Sequence, residues 1–149
     1  MMRATASMPR CMAVLVLAWF GLSSTSLAQD TQYRIIVHPS NAVTGVGRGF
    51  LRDAYLKKQT EWGHGEPLRP VNLSSKFTVH DQFTREVLQK TPAQLRSYWN
   101  QQIFSGKGVP PLEVNTTADV IAYVLANPGA IGYLPGDVDP GGARSIEVR

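Results

Sequence analysis

Three hydroxyl residues, Ser74, Ser75 and Thr78, cluster where a short apolar run gives way to a helical pattern. Hydroxyls at a helix entrance have two common uses. They cap the helix by accepting from its first backbone N–H groups. Alternatively, they join those N–H groups in holding an anion at the positive end of the helix. Thr44 stands in a comparable place, ahead of Gly45-Val46-Gly47-Arg48-Gly49 and the helical spacing that begins at Phe50. That glycine-rich stretch looks like a phosphate-cradling loop, and Arg48 adds positive charge. A dinucleotide fingerprint needs a third glycine three residues after the second, and Phe50 occupies that position. What survives is either a simple anion site or a flexible turn feeding a helix.

Other chemistry-bearing residues are isolated. His64-Gly65-Glu66 puts an imidazole near a carboxylate, but two ligands do not make a metal site. Asp137 and Asp139 sit among glycines without the later glutamate of a calcium loop, and they read as a polar turn. The three histidines have unrelated surroundings, and no Gly-x-Ser-x-Gly elbow is present. The one cysteine, Cys11, lies inside an N-terminal apolar run. These absences argue against an enzyme, and no metal or cofactor is expected. Tyr98 and Trp99 share a helical face with Leu95 and Ile103, so core packing explains them better than a ligand platform.

The elements that would position these residues follow from periodicity and breakers. Tyr33 to Val37 is a β-branched run ended by His38-Pro39, hence a strand. Phe50, Leu51, Ala54 and Tyr55 mark a helix, and Leu68 to Leu73 contains a second strand. Phe83, Val87 and Leu88 mark another helix, with Thr78 and Asp81 as its expected cap. Thr91-Pro92-Ala93-Gln94 opens a third helix with a capping box, which Ser105-Gly106-Lys107-Gly108 stops. Thr116 and Asp119 open a fourth, carrying Val120, Ile121, Val124 and Leu125 inward. Asn127-Pro128-Gly129 ends it, with Gly129 expected in a left-handed turn. Ala130 to Leu134 and Ser145 to Val148 are further strands. Strands alternating with helices predict an α/β fold with a mostly parallel sheet flanked by helices. Open sheets of this kind hold ligands at helix entrances that follow strands.

The chain has 149 residues, of which 43% are hydrophobic and 17% charged, which fits one globular domain. Arg3 and Arg10 precede a twelve-residue apolar run, Cys11 to Leu22, and Ser26 and Ala28 fit a cleavage site. Residues 1–28 therefore read as a signal peptide and 29–149 as the exported domain, placed in the periplasm. The apolar run is shorter than a bilayer span, so no stable membrane span is expected after cleavage. From residue 29 onward, thirteen basic and eleven acidic residues remain, scattered along the chain. No basic face is indicated, so no nucleic-acid partner is expected.

The order of motifs resembles one known family. His38-Pro39-Ser40-Asn41-Ala42-Val43-Thr44 is similar to an N-P-x-N-x-V loop, and Phe50 to Lys57 to a helix end that reads L-x-x-I-F-L-G-K. Trp62 with Gly65 to Val71 resembles W-x-x-G-x-x-I-x-P-V, and Phe83 to Leu88 resembles F-x-x-x-V-L. Phe104 to Gly108 and Pro128 to Tyr133 are close matches. These are motifs of phosphate ABC transporter substrate-binding proteins, and the resemblance covers about residues 33 to 135. It implies a single lobe of a type II periplasmic-binding-protein-like fold, matching the second lobe of such proteins. The family's Ser-Gly-Thr is replaced here by Ser74-Ser75-Lys76-Phe77-Thr78, and His80 stands where an arginine is common. The resemblance implies an exported solute-binding-like protein for phosphate or a similar oxyanion. An ABC transporter or a second protein chain would be its partner, and Ser74, Ser75, Thr78 and Thr44 its ligands. The alternative is a protein-interaction or sensory module that uses the same lobe without a ligand. In either case the open face is expected around Asn41 to Gly47 and Ser74 to Thr78.

Overall fold

The computed structural model describes residues 32–149. The signal-peptide expectation for residues 1–28 lies outside them. The elements run β1 (Tyr33–Val37), β2 (Gly45–Val46), α1 (Arg48–Tyr55), β3 (Arg69–Leu73) and α2 (Thr78–Glu86). They continue α3 (Pro92–Phe104), β4 (Leu112–Val114), α4 (Thr117–Ala126), β5 (Ala130–Pro135) and β6 (Arg144–Val148). The strands form one sheet in the order β2-β6-β1-β5-β3-β4. The sheet is mostly parallel: β2–β6, β3–β4 and β3–β5 pair in parallel, and β1 runs antiparallel to both its neighbours, β5 and β6.

Strand alternation assigns the two faces. Tyr33, Ile35 and Val37 pair with Pro135, Tyr133 and Ile131, and together they face α1 and α2. There Phe83 stacks on Tyr133 at 4.1 Å and 8°, with Tyr55 and Tyr33 edge-on at 4.8 and 5.6 Å. Each such pair contributes about 0.5–1.5 kcal/mol beyond its buried area. Two of the three phenols are hydrogen-bonded: Tyr55 donates to the carbonyl of Val71 at 3.0 Å, and Tyr133 to Asn72 Oδ1 at 2.5 Å. On the opposite face, Ile36 pairs with Gly132, and α4 lies against them. A Cβ at Gly132 would come within 2.7 Å of Val120 Cγ1 and 3.0 Å of Val71 Cγ1. Glycine at this position lets α4 approach the sheet closely.

Two of the three capping signals hold. Thr91 accepts from the Gln94 amide while the Gln94 side chain accepts from the Thr91 amide, and Thr116 accepts from the Asp119 amide. Thr78 does not cap: it is the first residue of α2, Phe77 is the N-cap, and no side chain accepts there. Gly129 is not left-handed. It is needed because a Cβ there would sit 2.0 Å from the Pro67 carbonyl oxygen. Ile103 and Leu125 were expected inside but are exposed, at 52% and 40%. α4 packs on the sheet and α3 on α2, each through a face narrower than its hydrophobic spacing, so only Leu95, Trp99, Val120 and Val124 are buried. Two short strands without a local signal, β2 and β4, form because each completes a ladder with β6 or β3.

Candidate functional site

The strand directions bring two helix entrances to one end of the sheet. β5 is antiparallel to β1 and β3 is parallel to β5, so the carboxyl ends of β3 and β5 lie beside Tyr33. β6 is antiparallel to β1 and β2 is parallel to β6, so their carboxyl ends lie there too. α1 and α2 therefore both start at this end. They do not share a site, because β2 and β3 are four strand spacings apart, roughly 19 Å.

This separation removes Thr44 from the α2 cluster. Thr44 is exposed, and its carbonyl accepts from the Glu147 amide at 3.1 Å. The Gly45-Val46 pair that looked like a phosphate loop is a strand against β6, and the Arg48 amide donates to the Arg149 carbonyl at 3.0 Å. Asn41 lies beyond Val37, toward the opposite end of the sheet, held by Arg144, whose guanidinium donates to the carbonyls of Asn41 and Val43. The stretch from Asn41 to Gly47 and that from Ser74 to Thr78 thus do not form one face.

At α2 the entrance is open. Ser74 is buried and serves the turn: its amide donates to Val114 at 2.9 Å and its carbonyl accepts from Phe77 at 3.1 Å. Its hydroxyl is 3.4 Å from the Lys76 amide. Ser75, Lys76 and Thr78 are exposed. Phe77 offers no side-chain acceptor, so no side chain caps α2; of its first amides, that of His80 donates to the Phe77 carbonyl at 3.0 Å. Thr78 lines a cleft of about 270 Å³ with Gln32, Phe77, Val79, Gln82 and Pro135. Ser74 and Ser75 lie outside that lining.

Two of the lining residues, Gln32 and Gln82, escaped the sequence reading. Gln82 stands four positions after Thr78, the spacing that places two side chains on one helix face. Gln32 has no such local signal. It reaches the cleft because the β1–β5 pairing continues past the strand ends, with the Gly136 amide donating to the Gln32 carbonyl at 3.0 Å.

The electrostatics of the entrance are mixed. Asp81 sits in the first turn of α2, with its Oδ1 3.3 Å from Nδ1 of the buried His80. A carboxylate there already uses part of the positive helix end. No lining residue of the cleft is charged. Nearby, burial pushes the Tyr33 phenol above the ordinary tyrosine range, with Arg48 opposing the rise and Glu86 adding to it. Its hydroxyl is buried without a hydrogen-bond partner among the described residues. His64 and Glu66 do approach, at 3.2 Å, on the exposed turn. Among the described residues no group of three His, Cys, Asp or Glu side chains could hold a metal. Trp62 is a structural residue: it is buried, and its indole N–H donates to the Gly129 carbonyl at 3.0 Å.

No protein-family model and no curated protein matches the sequence. Solved structures do. An ABC-type phosphate transport receptor from Vibrio cholerae superposes with a TM-score of 0.61 at 20% identity, over 79% of this chain and 47% of that one. A phosphate ABC transporter substrate-binding protein from Clostridium perfringens, with phosphate bound, gives 0.60 at 21% identity over 79% and 46%. The fold is that of one periplasmic-binding-protein lobe. PstS from Borrelia burgdorferi agrees, at 0.59 and 14% identity, again over 79% of this chain and 47% of its own. The chain thus spans less than half the length of the structures it matches, as a single lobe does. Among the described residues no helix is long and apolar enough to cross a membrane.

Proposed function

We propose that this lobe is an exported, non-enzymatic solute-binding-like protein that takes phosphate or a similar oxyanion at the start of α2, in the service of ABC-type uptake. The observation that carries this reading is the uncapped N-terminus of α2 opening into the cleft beside Thr78. Free N–H groups at a helix start and hydroxyl and amide side chains around them suit an anion. The structural neighbours include a protein with phosphate bound, which supports the choice of ligand. Thr78 and Ser75 would donate hydroxyls and Gln32 an amide, Gln82 would offer the N–H left over from its 2.9 Å bond to Glu86 Oε1, and Ser74 shapes the turn. One lobe leaves part of the anion hydrated, so the affinity is expected to be weak unless a second chain covers it.

A second reading has its own support. The cleft has no cationic side chain and Asp81 stands in the first turn, which suits a protein-interaction or sensory module that binds no anion. Calorimetric titration with phosphate separates the two. Heat at millimolar phosphate, abolished by Ser75→Ala with Thr78→Ala in a folded protein, supports the oxyanion site. No heat and no melting shift would favour the module.

A further inference from the structure

We propose that the turn after α3 is a membrane-contact tip, which sets its apolar side chains into the headgroup region of an anionic bilayer. The residues are unusual for a protein surface. Phe104 is 96% exposed, and Val109, Ile103 and Leu112 are 65%, 52% and 52% exposed, all within ten positions. The turn that carries Ile103 and Phe104 is closed by hydrogen bonds. The Gly106 amide donates to Ile103 at 3.1 Å and the Lys107 amide to Gln102 at 2.9 Å, with Gly106 at φ +67°. Both bonds together form a Schellman closure, which only a residue tolerant of positive φ completes without strain. Phe104 is therefore held outward by the backbone.

The cations nearest Phe104 are Lys107, in the turn itself, and Arg96, on α3; the exposed Glu113 follows Leu112. Arg96, Asn100 and Phe104 follow one another at four-residue spacing along the exposed side of α3, so Arg96 lies about 12 Å up the helix from the ring. Apolar side chains flanked by cations match an interface of acyl chains beneath anionic headgroups.

Two features favour a bilayer over a protein partner. β4 is an edge strand, but Pro110 and Pro111 precede it and withhold the N–H groups a pairing strand needs. The exposed line of α3 above Phe104 is polar, so it offers no apolar groove or stripe for a partner helix. A projecting ring needs a fitted pocket on a protein but none in a bilayer. The inference is independent of whether α2 binds an anion.

The test uses the protein recovered from the export fraction of its host, with its N-terminus sequenced, and vesicle sedimentation. Vesicles of phosphatidylglycerol and phosphatidylethanolamine should carry the protein down, and vesicles of phosphatidylcholine should not. Phe104→Ser should weaken the partition about tenfold, Phe104→Trp should retain it, and Lys107→Gln should reduce the dependence on phosphatidylglycerol. Circular dichroism checks that each variant is folded. Absence of sedimentation with the anionic vesicles would overturn the proposal and leave the tip to a protein partner. Equal sedimentation of wild type and Phe104→Ser would overturn it as well, since the contact would then lie elsewhere.

Discussion

Replacing Gly132 by alanine tests the packing of α4 on the sheet. The new Cβ would stand 2.7 Å from Val120 Cγ1 and 3.0 Å from Val71 Cγ1. Carbon atoms in favourable contact are about 3.5–4.0 Å apart, so α4 must move by roughly 1 Å or its valine must change rotamer. Overpacking of this kind costs about 1–3 kcal/mol. Removing the obstruction alone, with Val120→Ala, leaves a void under a fully buried residue and costs about 2 kcal/mol. In the double variant the alanine methyl at 132 enters the space that Val120 vacated. Its loss of stability should therefore fall at least about 1 kcal/mol short of the sum of the single losses, as coupling between touching residues requires. Urea unfolding followed by circular dichroism measures the four proteins of the cycle. Strict additivity would refute the close approach, and with it the placement of α4 over β5.

Three other outcomes follow from the same structure. Thr91→Ala removes the acceptor of the Gln94 amide at 3.2 Å and should cost about 1 kcal/mol in the same unfolding assay. Tyr133→Phe leaves Asn72 Oδ1 without its 2.5 Å donor and should cost about 1–3 kcal/mol at neutral pH. Burial holds the phenols of Tyr55 and Tyr133 well above the ordinary tyrosine range, so the unfolded chain releases those protons first as pH rises. Their contribution is complete below about pH 10 and is lost above it, so stability should fall from there upward, less steeply in Tyr133→Phe. Urea midpoints compared between pH 8 and pH 11 check this, and a flat profile would contradict it.

The elements legible in the sequence are those whose signals are local. Thr91 and Gln94 carry a reciprocal cap within four residues, and Tyr33 to Val37 is a run of strand formers with a proline stop; both appear where expected. The two-residue β2 exists only because β6 lies beside it, and nothing in Gly45-Val46 itself announces that. Gly129 shows how a correct boundary can rest on the wrong physics: Pro128 and Gly129 do end α4, but the glycine is there for the Pro67 carbonyl and not for a left-handed turn. At the candidate site, Ser74, Ser75 and Thr78 are local to one turn, but only Thr78 lines the cleft. Thr44 lies apart from them because its distance depends on strand order, which no spacing within the chain encodes. Gln32 is missed for the same reason in reverse, since the β1–β5 pairing delivers it to the cleft.

The most direct test of the oxyanion site at α2 is a phosphate titration followed residue by residue in the amide nitrogen–proton spectrum. The amides of Thr78 and Val79 and the side-chain amides of Gln32 and Gln82 should shift together and saturate with one binding curve, while those of Gly49 and Phe50 at the start of α1 stay in place. Shifts confined to the α1 entrance, or no shift at millimolar phosphate, would contradict the account.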